Sequence, residues 1–346
     1  MDNKIKVVVV DDSLVFRNFL TSIINQDPRF EVIGTAINTT DARQKIPQLK
    51  PDVVTMDIEM PGMSGLDFLK EFLPKYPIPV ILVSSLSIRV MDALSVGAID
   101  YVQKPNLSIG SEKENFPRQL ISRLIVASKA KIQLPSATQA PVSPLADRML
   151  QKSLIRQDMV IAIGASTGGT EATLAILKQF PANMPGIVIT QHMPEGFTSM
   201  YAQRLNNQCK IEVREAKSGD KIQPGLALLA PGGVQTRVVK MGNGFAVSCT
   251  PGEKVSGHRP SVDVLFDSVA NNVRDKAIGI ILTGMGADGA AGLLRMRKNG
   301  AYTIGQDRDT CVVYGMPMEA HKIGAVCVQS PLLNIPQIVY RRLSAK

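Results

Sequence analysis

The sequence is poor in the residues from which metal sites and disulfide frames are built. Its four cysteines, Cys209, Cys249, Cys311 and Cys327, are scattered and form no CxxC pair. That excludes a zinc ribbon and points to reduced, mostly packed thiols of a cytoplasmic protein. Only three histidines are present, His192, His258 and His321, so imidazole chemistry has few sources. No apolar run approaches bilayer-spanning length, and the start, Met1-Asp2-Asn3-Lys4, carries no signal-peptide pattern. A concentrated basic element is missing too. Of the net charge of +9, residues 1–125 contribute 14 basic and 15 acidic side chains, residues 126–156 contribute 5 and 1, and residues 157–346 contribute 20 and 14. With no recognition-helix or RNA-binding aromatic pattern, nucleic acid is not an expected partner. Attraction to an acidic protein surface fits the charge equally well.

What is present fills two ordinary domains, each with room for a sizeable core. The expected division is 1–125, a linker over 126–156, and 157–346. In the first part strand-like and helix-like runs alternate. Lys6–Val10, Val32–Ala36, Val53–Met56, Val80–Val83 and Tyr101–Val102 read as buried strands, separated by amphipathic runs. Such β–α units predict a doubly wound parallel sheet, whose ligands bind at the carboxyl ends of the strands. Asp11, Asp12, Asp57, Ser84 and Lys104 all fall there. Converging carboxylates need a cation between them, and an all-oxygen set suits Mg²⁺. Each acid taken singly reads better as a helix or turn cap; the five residues together do not.

Val9-Val10-Asp11-Asp12-Ser13, Met56-Asp57 through Gly65-Leu66, and Lys104-Pro105 closely resemble the receiver domain of two-component response regulators. The resemblance implies that Asp57 accepts phosphate from a histidine kinase. Asp12 and Asp57 would ligate Mg²⁺ directly, Asp11 through water and Glu59 through its backbone carbonyl. Ser84 and Lys104 would contact the phosphoryl group, and Tyr101 would be the aromatic that swings inward on activation. Proline also permits a cis bond at Lys104-Pro105.

The linker is rich in Ser, Ala, Lys, Gln and Pro, with Pro135, Pro141 and Pro144 close together, which favours an extended tether. A short helical pattern spans Leu145 to Leu154.

The second domain repeats the alternation, with strands expected over 159–163, 186–190, 226–229, 277–282 and 301–304. A hairpin is expected between Gly232 and Val247, turning at Gly242-Asn243-Gly244. After the first of these strands, Gly164-Ala165-Ser166-Thr167-Gly168 matches the nucleophile-elbow spacing, with Gly164 expected to turn the chain. An anion-binding glycine loop is the milder alternative, but the next strand ends in Gln191-His192, not in a ribose-binding acid. Serine needs a base. His192 follows a strand end on the same sheet edge, and Asp288, after the glycine-rich turn Gly284-Met285-Gly286, supplies an orienting acid. Asp288 could instead be an ordinary helix N-cap. His321 reads as structural. His258 stays open between lining the substrate cleft and merely binding a carbonyl.

Gly164–Gly169, Gln191-His192-Met193-Pro194, Gly257–Asp263 and Thr283–Gly289 resemble the chemotaxis response-regulator protein-glutamate methylesterases. With the receiver in front, the resemblance spans all but the linker. It implies two doubly wound α/β domains, one flavodoxin-like and one Rossmann-like with a small antiparallel hairpin. It implies a cytoplasmic serine hydrolase with Ser166, His192 and Asp288 as triad and the Met285 N–H in the oxyanion hole, and no cofactor for the hydrolase. Its substrates would be glutamate methyl esters, and certain glutamines, on chemoreceptors, so the membrane enters only through those partners. The receiver would restrict the catalytic cleft until Asp57 is phosphorylated, so its deletion should raise basal activity. Two rivals leave more residues unexplained: a response regulator that only binds DNA or protein, and a nucleotide-binding output domain.

Overall fold

The computed structural model describes residues 4–85, 89–106, 110–132 and 156–344. The chain divides into two compact units, Met1–Ala137 and Thr138–Lys346. The linker prolines and the helical pattern at Leu145–Leu154 lie outside the described residues.

In the first unit, β1 (Ile5–Val10), α1 (Leu14–Gln26), β2 (Phe30–Ala36), α2 (Thr39–Leu49), β3 (Val53–Met56), α3 (Gly65–Phe72), β4 (Val80–Ser84), α4 (Arg89–Ser95), β5 (Asp100–Gln103) and α5 (Gly110–Ala127) follow one another. The strands pair in parallel in the order β2-β1-β3-β4-β5. Val7–Val10, β3 and β4 are buried throughout, as β-branched strands covered on both faces should be. The chain leaves β1 toward β2 and returns to β3 on the other side, which opens a crevice at the carboxyl ends of β1 and β3. Lys104-Pro105 is not cis; among the described residues the one cis bond is Arg259-Pro260. Trans is the ordinary preference of an X–Pro bond.

The second unit carries β6 (Val160–Ala165), α6 (Gly169–Leu177), β7 (Gly186–Gln191), α7 (Phe197–Gln208), β8 (Glu212–Glu215), β9 (Lys221–Ile222), β10 (Leu226–Leu229), β11 (Gln235–Met241) and β12 (Gly244–Thr250). It continues through α8 (Val262–Asn272), β13 (Ala277–Ile281), α9 (Ala290–Lys298), β14 (Tyr302–Gln306), α10 (Met316–Lys322), β15 (Val328–Ser330) and α11 (Ile335–Ser344). Seven strands form a parallel sheet in the order β15-β14-β13-β6-β7-β10-β8. The expected hairpin is β11–β12, with Met241 paired to Gly244 across the two-residue turn Gly242-Asn243, and β9 extends it to three antiparallel strands. Here the switch point lies between β6 and β13, since the chain runs from β6 to β7 on one side and reaches β13 on the other.

Gly164 differs from its expected role. It lies inside β6, paired with Thr190 and Ile281, and the chain turns only after Ala165. A Cβ on Gly164 would fall 2.2 Å from Cγ1 of Val262. The missing side chain lets the first residue of α8 press against the strand, which brings the N-terminus of that helix to the sheet edge.

Candidate active site and phosphoacceptor site

Three strand ends converge at the switch point of the second sheet. Ser166 follows β6 directly, and His192 follows β7, where Ala165 pairs with Gln191. Main-chain bonds lock the junction. His192 N–H donates to Ala165 O (3.1 Å), Ser166 N–H to Thr283 O (3.0 Å), and Gly169 N–H to Ser166 O (2.7 Å). Gln191 and Thr283 are further residues of the site to which sequence reasoning assigned no role. Gln191 Nε2 donates to Ser166 O at 2.8 Å. Thr283 Oγ1 donates to Thr167 O at 3.0 Å, tying the serine turn to the strand end of β13.

His192 Nε2 lies 2.7 Å from Asp288 Oδ2. Asp288 is 2 % exposed, and its carboxylate also accepts from Ser261 Oγ (2.7 Å), Val262 N–H (2.7 Å) and Asp263 N–H (3.1 Å). Burial alone would raise its pKa, but the bonds from His192, Ser261 and Val262 and the electrostatic pull of His192 outweigh it and lower it to about 2. Asp288 is therefore no cap of its own helix, whose N-cap is Gly289 with no side-chain bond. It sits instead at the N-terminus of α8, where free N–H groups and the helix dipole favour an anion. Ser261, within the Gly257–Asp263 stretch, is the N-cap of that helix, a role its motif does not disclose.

An ionised carboxylate only accepts, so His192 Nε2 must carry the proton and Nδ1 is left as the basic nitrogen. Nδ1 is buried and has no hydrogen-bond partner among the described residues. Ser166 Oγ makes no hydrogen bond to the imidazole there either. Such bonds commonly tighten only with substrate in place.

A Cβ on Gly284 would lie 2.7 Å from Ser166 Cβ, so only a glycine lets this turn pass beside the serine. Gly284 O accepts from the N–H groups of Gly315 (3.1 Å) and Met316 (2.8 Å). Because the peptide is planar and trans, the Met285 N–H points the opposite way. The Met285 side chain is exposed. His258 is half-buried and stacks on His192, whereas His321 is exposed on α10.

In the first unit the carboxylate oxygens of Asp11, Asp12 and Asp57 lie within 4.8 Å of one another. Lys104 Nζ reaches Asp11 Oδ2 at 2.7 Å and Asp57 Oδ2 at 2.6 Å. Burial pushes the Asp11 carboxyl up against the opposing pull of Lys104. Burial also works against the Lys104 ammonium, but its bonds to Asp11 and Asp57 win and hold its pKa above the ordinary lysine value. Asp57 Oδ1 accepts from Glu59 N–H at 3.1 Å. Arg17 Nη1, absent from the sequence reading, braces the carbonyls of Asp11 (2.6 Å) and Asp12 (2.9 Å). Ser84 Oγ is buried with no partner among the described residues. Tyr101 is buried, which pushes its phenol well above the usual value. Three carboxylates answered by one ammonium could hold a hard divalent cation on oxygen ligands. A Cβ on Gly65 would strike Asp57 O at 2.3 Å, so the glycine lets α3 start against the loop of the phosphoacceptor candidate.

Among the described residues no helix is long and apolar enough to cross a membrane. The family described as CheB methylesterase matches residues 161–339, and the family described as response regulator receiver domain matches residues 7–109. A protein-glutamate methylesterase/protein-glutamine glutaminase of Syntrophomonas wolfei is 50% identical over 341 residues, 99% of this chain and 98% of that protein. Its counterpart from Syntrophotalea carbinolica is 47% identical, covering 94% and 93%. The solved catalytic domain of the Thermotoga maritima CheB methylesterase is 34% identical, with a TM-score of 0.52, over 53% of this chain and 98% of its own length. This chain belongs to the CheB methylesterase family, with a response-regulator receiver domain ahead of its methylesterase domain.

Proposed function

We propose that the chain is a phosphorylation-controlled protein-glutamate methylesterase and protein-glutamine glutaminase serving chemotactic adaptation, with Ser166, His192 and Asp288 as its catalytic triad. The observation that carries the assignment is the 2.7 Å contact between His192 Nε2 and Asp288, which supports Nδ1 as the base that serves Ser166. Ser166 Oγ attacks the side-chain carbonyl carbon of the ester while Nδ1 takes its proton. The bond to the leaving group then breaks as the imidazolium returns the proton to the ester oxygen, releasing methanol, or to the amide nitrogen of a glutamine, releasing ammonia. Water, deprotonated by the same nitrogen, hydrolyses the acyl-enzyme. The Met285 N–H serves the developing oxyanion.

In the receiver, Asp57 is the phosphoacceptor for a histidine kinase. Asp12, Asp57, Asp11 through water and the Glu59 carbonyl would hold Mg²⁺, which when bound supplies positive charge to the transferring phosphoryl group. Lys104 and Ser84 would bind that group's oxygens, and Tyr101 would reorient in response. The substrates are methylated glutamates of chemoreceptors on their cytoplasmic side, so the enzyme works in the cytoplasm and meets the membrane only through them.

The test is methanol release from methylated receptor membranes, with and without a small-molecule phosphodonor plus Mg²⁺, for wild type, Ser166→Ala and Asp57→Ala. Release that requires Ser166, and that the phosphodonor stimulates only when Asp57 is present, is the expected result. Wild-type release from Ser166→Ala would overturn the triad.

A further inference from the structure

We propose that His258 is a positioning residue for the catalytic base, a face-to-face clamp that sets the plane of His192 during acyl transfer. The proposal rests on the triad assignment above. The two imidazoles stack with ring centroids 3.6 Å apart and an interplanar angle of 7°, closer and flatter than most aromatic pairs in proteins.

A single bond from Nε2 to Asp288 anchors one corner of the His192 ring. It leaves the plane of the ring free to swing about that contact, and the direction of Nδ1 swings with it. A parallel ring against one face removes that freedom, so the lone pair on Nδ1 holds one direction.

His258 is itself held for this role. Its N–H and C=O pair with Val255 (2.9 and 3.1 Å). Gln235 Nε2 donates to the His258 carbonyl at 3.2 Å, while Gln235 Oε1 accepts from the N–H of Ser261 at 2.9 Å. Ser261 in turn donates to Asp288. One glutamine thus fixes the clamp and the support of the acid in a common frame. A histidine present only to satisfy a carbonyl would not need its ring laid over the base.

The experiment uses the full chain, activated by a small-molecule phosphodonor with Mg²⁺, on methylated receptor membranes. It compares wild type, His258→Ala, His258→Phe and Ser166→Ala. His258→Ala should lose about tenfold in kcat with KM changed less than about twofold, and His258→Phe, which keeps a stacking face, should recover to within about threefold of wild type. Labelling of Ser166 by a fluorophosphonate should follow the same order without involving the receptor. Because the chain has only three histidines, imidazole NMR gives a separate signature. The ring protons of His192 should be displaced upfield by ring current in wild type and in His258→Phe, and move back in His258→Ala. Unchanged kcat and unchanged His192 resonances in His258→Ala would overturn the proposal. So would equal losses in the Ala and Phe variants, which would place the effect in the nitrogens of His258. Either result with an inactive Ser166→Ala leaves the triad standing, whereas an active Ser166→Ala removes the triad itself.

Discussion

The side-chain amide of Gln191 donates to the main-chain carbonyl of Ser166 across 2.8 Å, and the same carbonyl accepts from Gly169 N–H. Both lone pairs of that oxygen are engaged, so the peptide that carries the serine turn has one orientation. Gln191 is 3 % exposed, and a Cβ on Gly169 would lie 2.3 Å from its Oε1.

Gln191→Leu keeps the bulk and removes the donor. The expected outcome is a stability loss of about 1–3 kcal/mol and a drop in kcat on the order of tenfold with KM little changed. Urea unfolding and methanol release measure the two together. A variant that loses stability at full kcat would show that the turn does not depend on this bond for its geometry.

Asp288→Asn replaces an acceptor that receives two backbone N–H groups and an imidazole by a group that must point donors at some of them. By the behaviour of orienting acids in serine hydrolases, kcat should fall about 10⁴-fold. Stability responds to pH in a definite direction. The folded carboxyl has its pKa depressed from 3.8 to about 2, so folding favours the ionised form. That contribution, on the order of 2 kcal/mol, is complete above about pH 4 and disappears as the pH falls through about 2. The gap in unfolding free energy between wild type and Asp288→Asn should therefore narrow on acidification across that window. A gap independent of pH would show that the carboxylate charge contributes nothing to folding.

Lys104→Met removes the ammonium that bridges Asp11 and Asp57. Both carboxylates are nearly buried, with side-chain exposures of 1% and 5%, and would be left facing each other. Without divalent cations the receiver should lose about 3 kcal/mol of stability. Millimolar Mg²⁺ should recover much of that if the three aspartates form its site. Thermal unfolding with Mg²⁺ and with EDTA measures both halves. Equal loss under the two conditions would count against a cation at this position.

Much of this was legible in the sequence. Runs such as Val7–Val10 and Ile278–Ile281 are apolar and β-branched because their strands are covered on both faces, and that pattern needs no tertiary information. A parallel sheet then sends its strand ends to one edge, which is why Ser166, His192 and Asp288, or Asp11, Asp57 and Lys104, could be grouped from spacing alone. The edge strands of the seven-stranded sheet, β8 and β15, were not legible. Glu212–Glu215 carries three charged residues in four and Val328–Ser330 is only three residues long, so neither carries a hydrophobic signal. Gly164 read as a turn because a glycine's reason for being there can lie in another element, here the first residue of α8. The same holds for the His192–His258 stack and for the bonds of Asp288. They join residues 66 positions apart and 25 or more, and nothing local to either partner announces them.

The acid of the proposed triad also sits at the start of a buried helix, and the two duties will not decay together. A duplicated copy of this gene released from selection for ester hydrolysis could lose Ser166 with small effect on folding, since among the described residues the hydroxyl makes no hydrogen bond. It could not lose Asp288 so cheaply, because Ser261, Val262 and Asp263 would then present donors to an empty space at the start of α8. Degenerate copies that still fold should keep the aspartate after the serine is gone, leaving half a triad as the trace of a former enzyme.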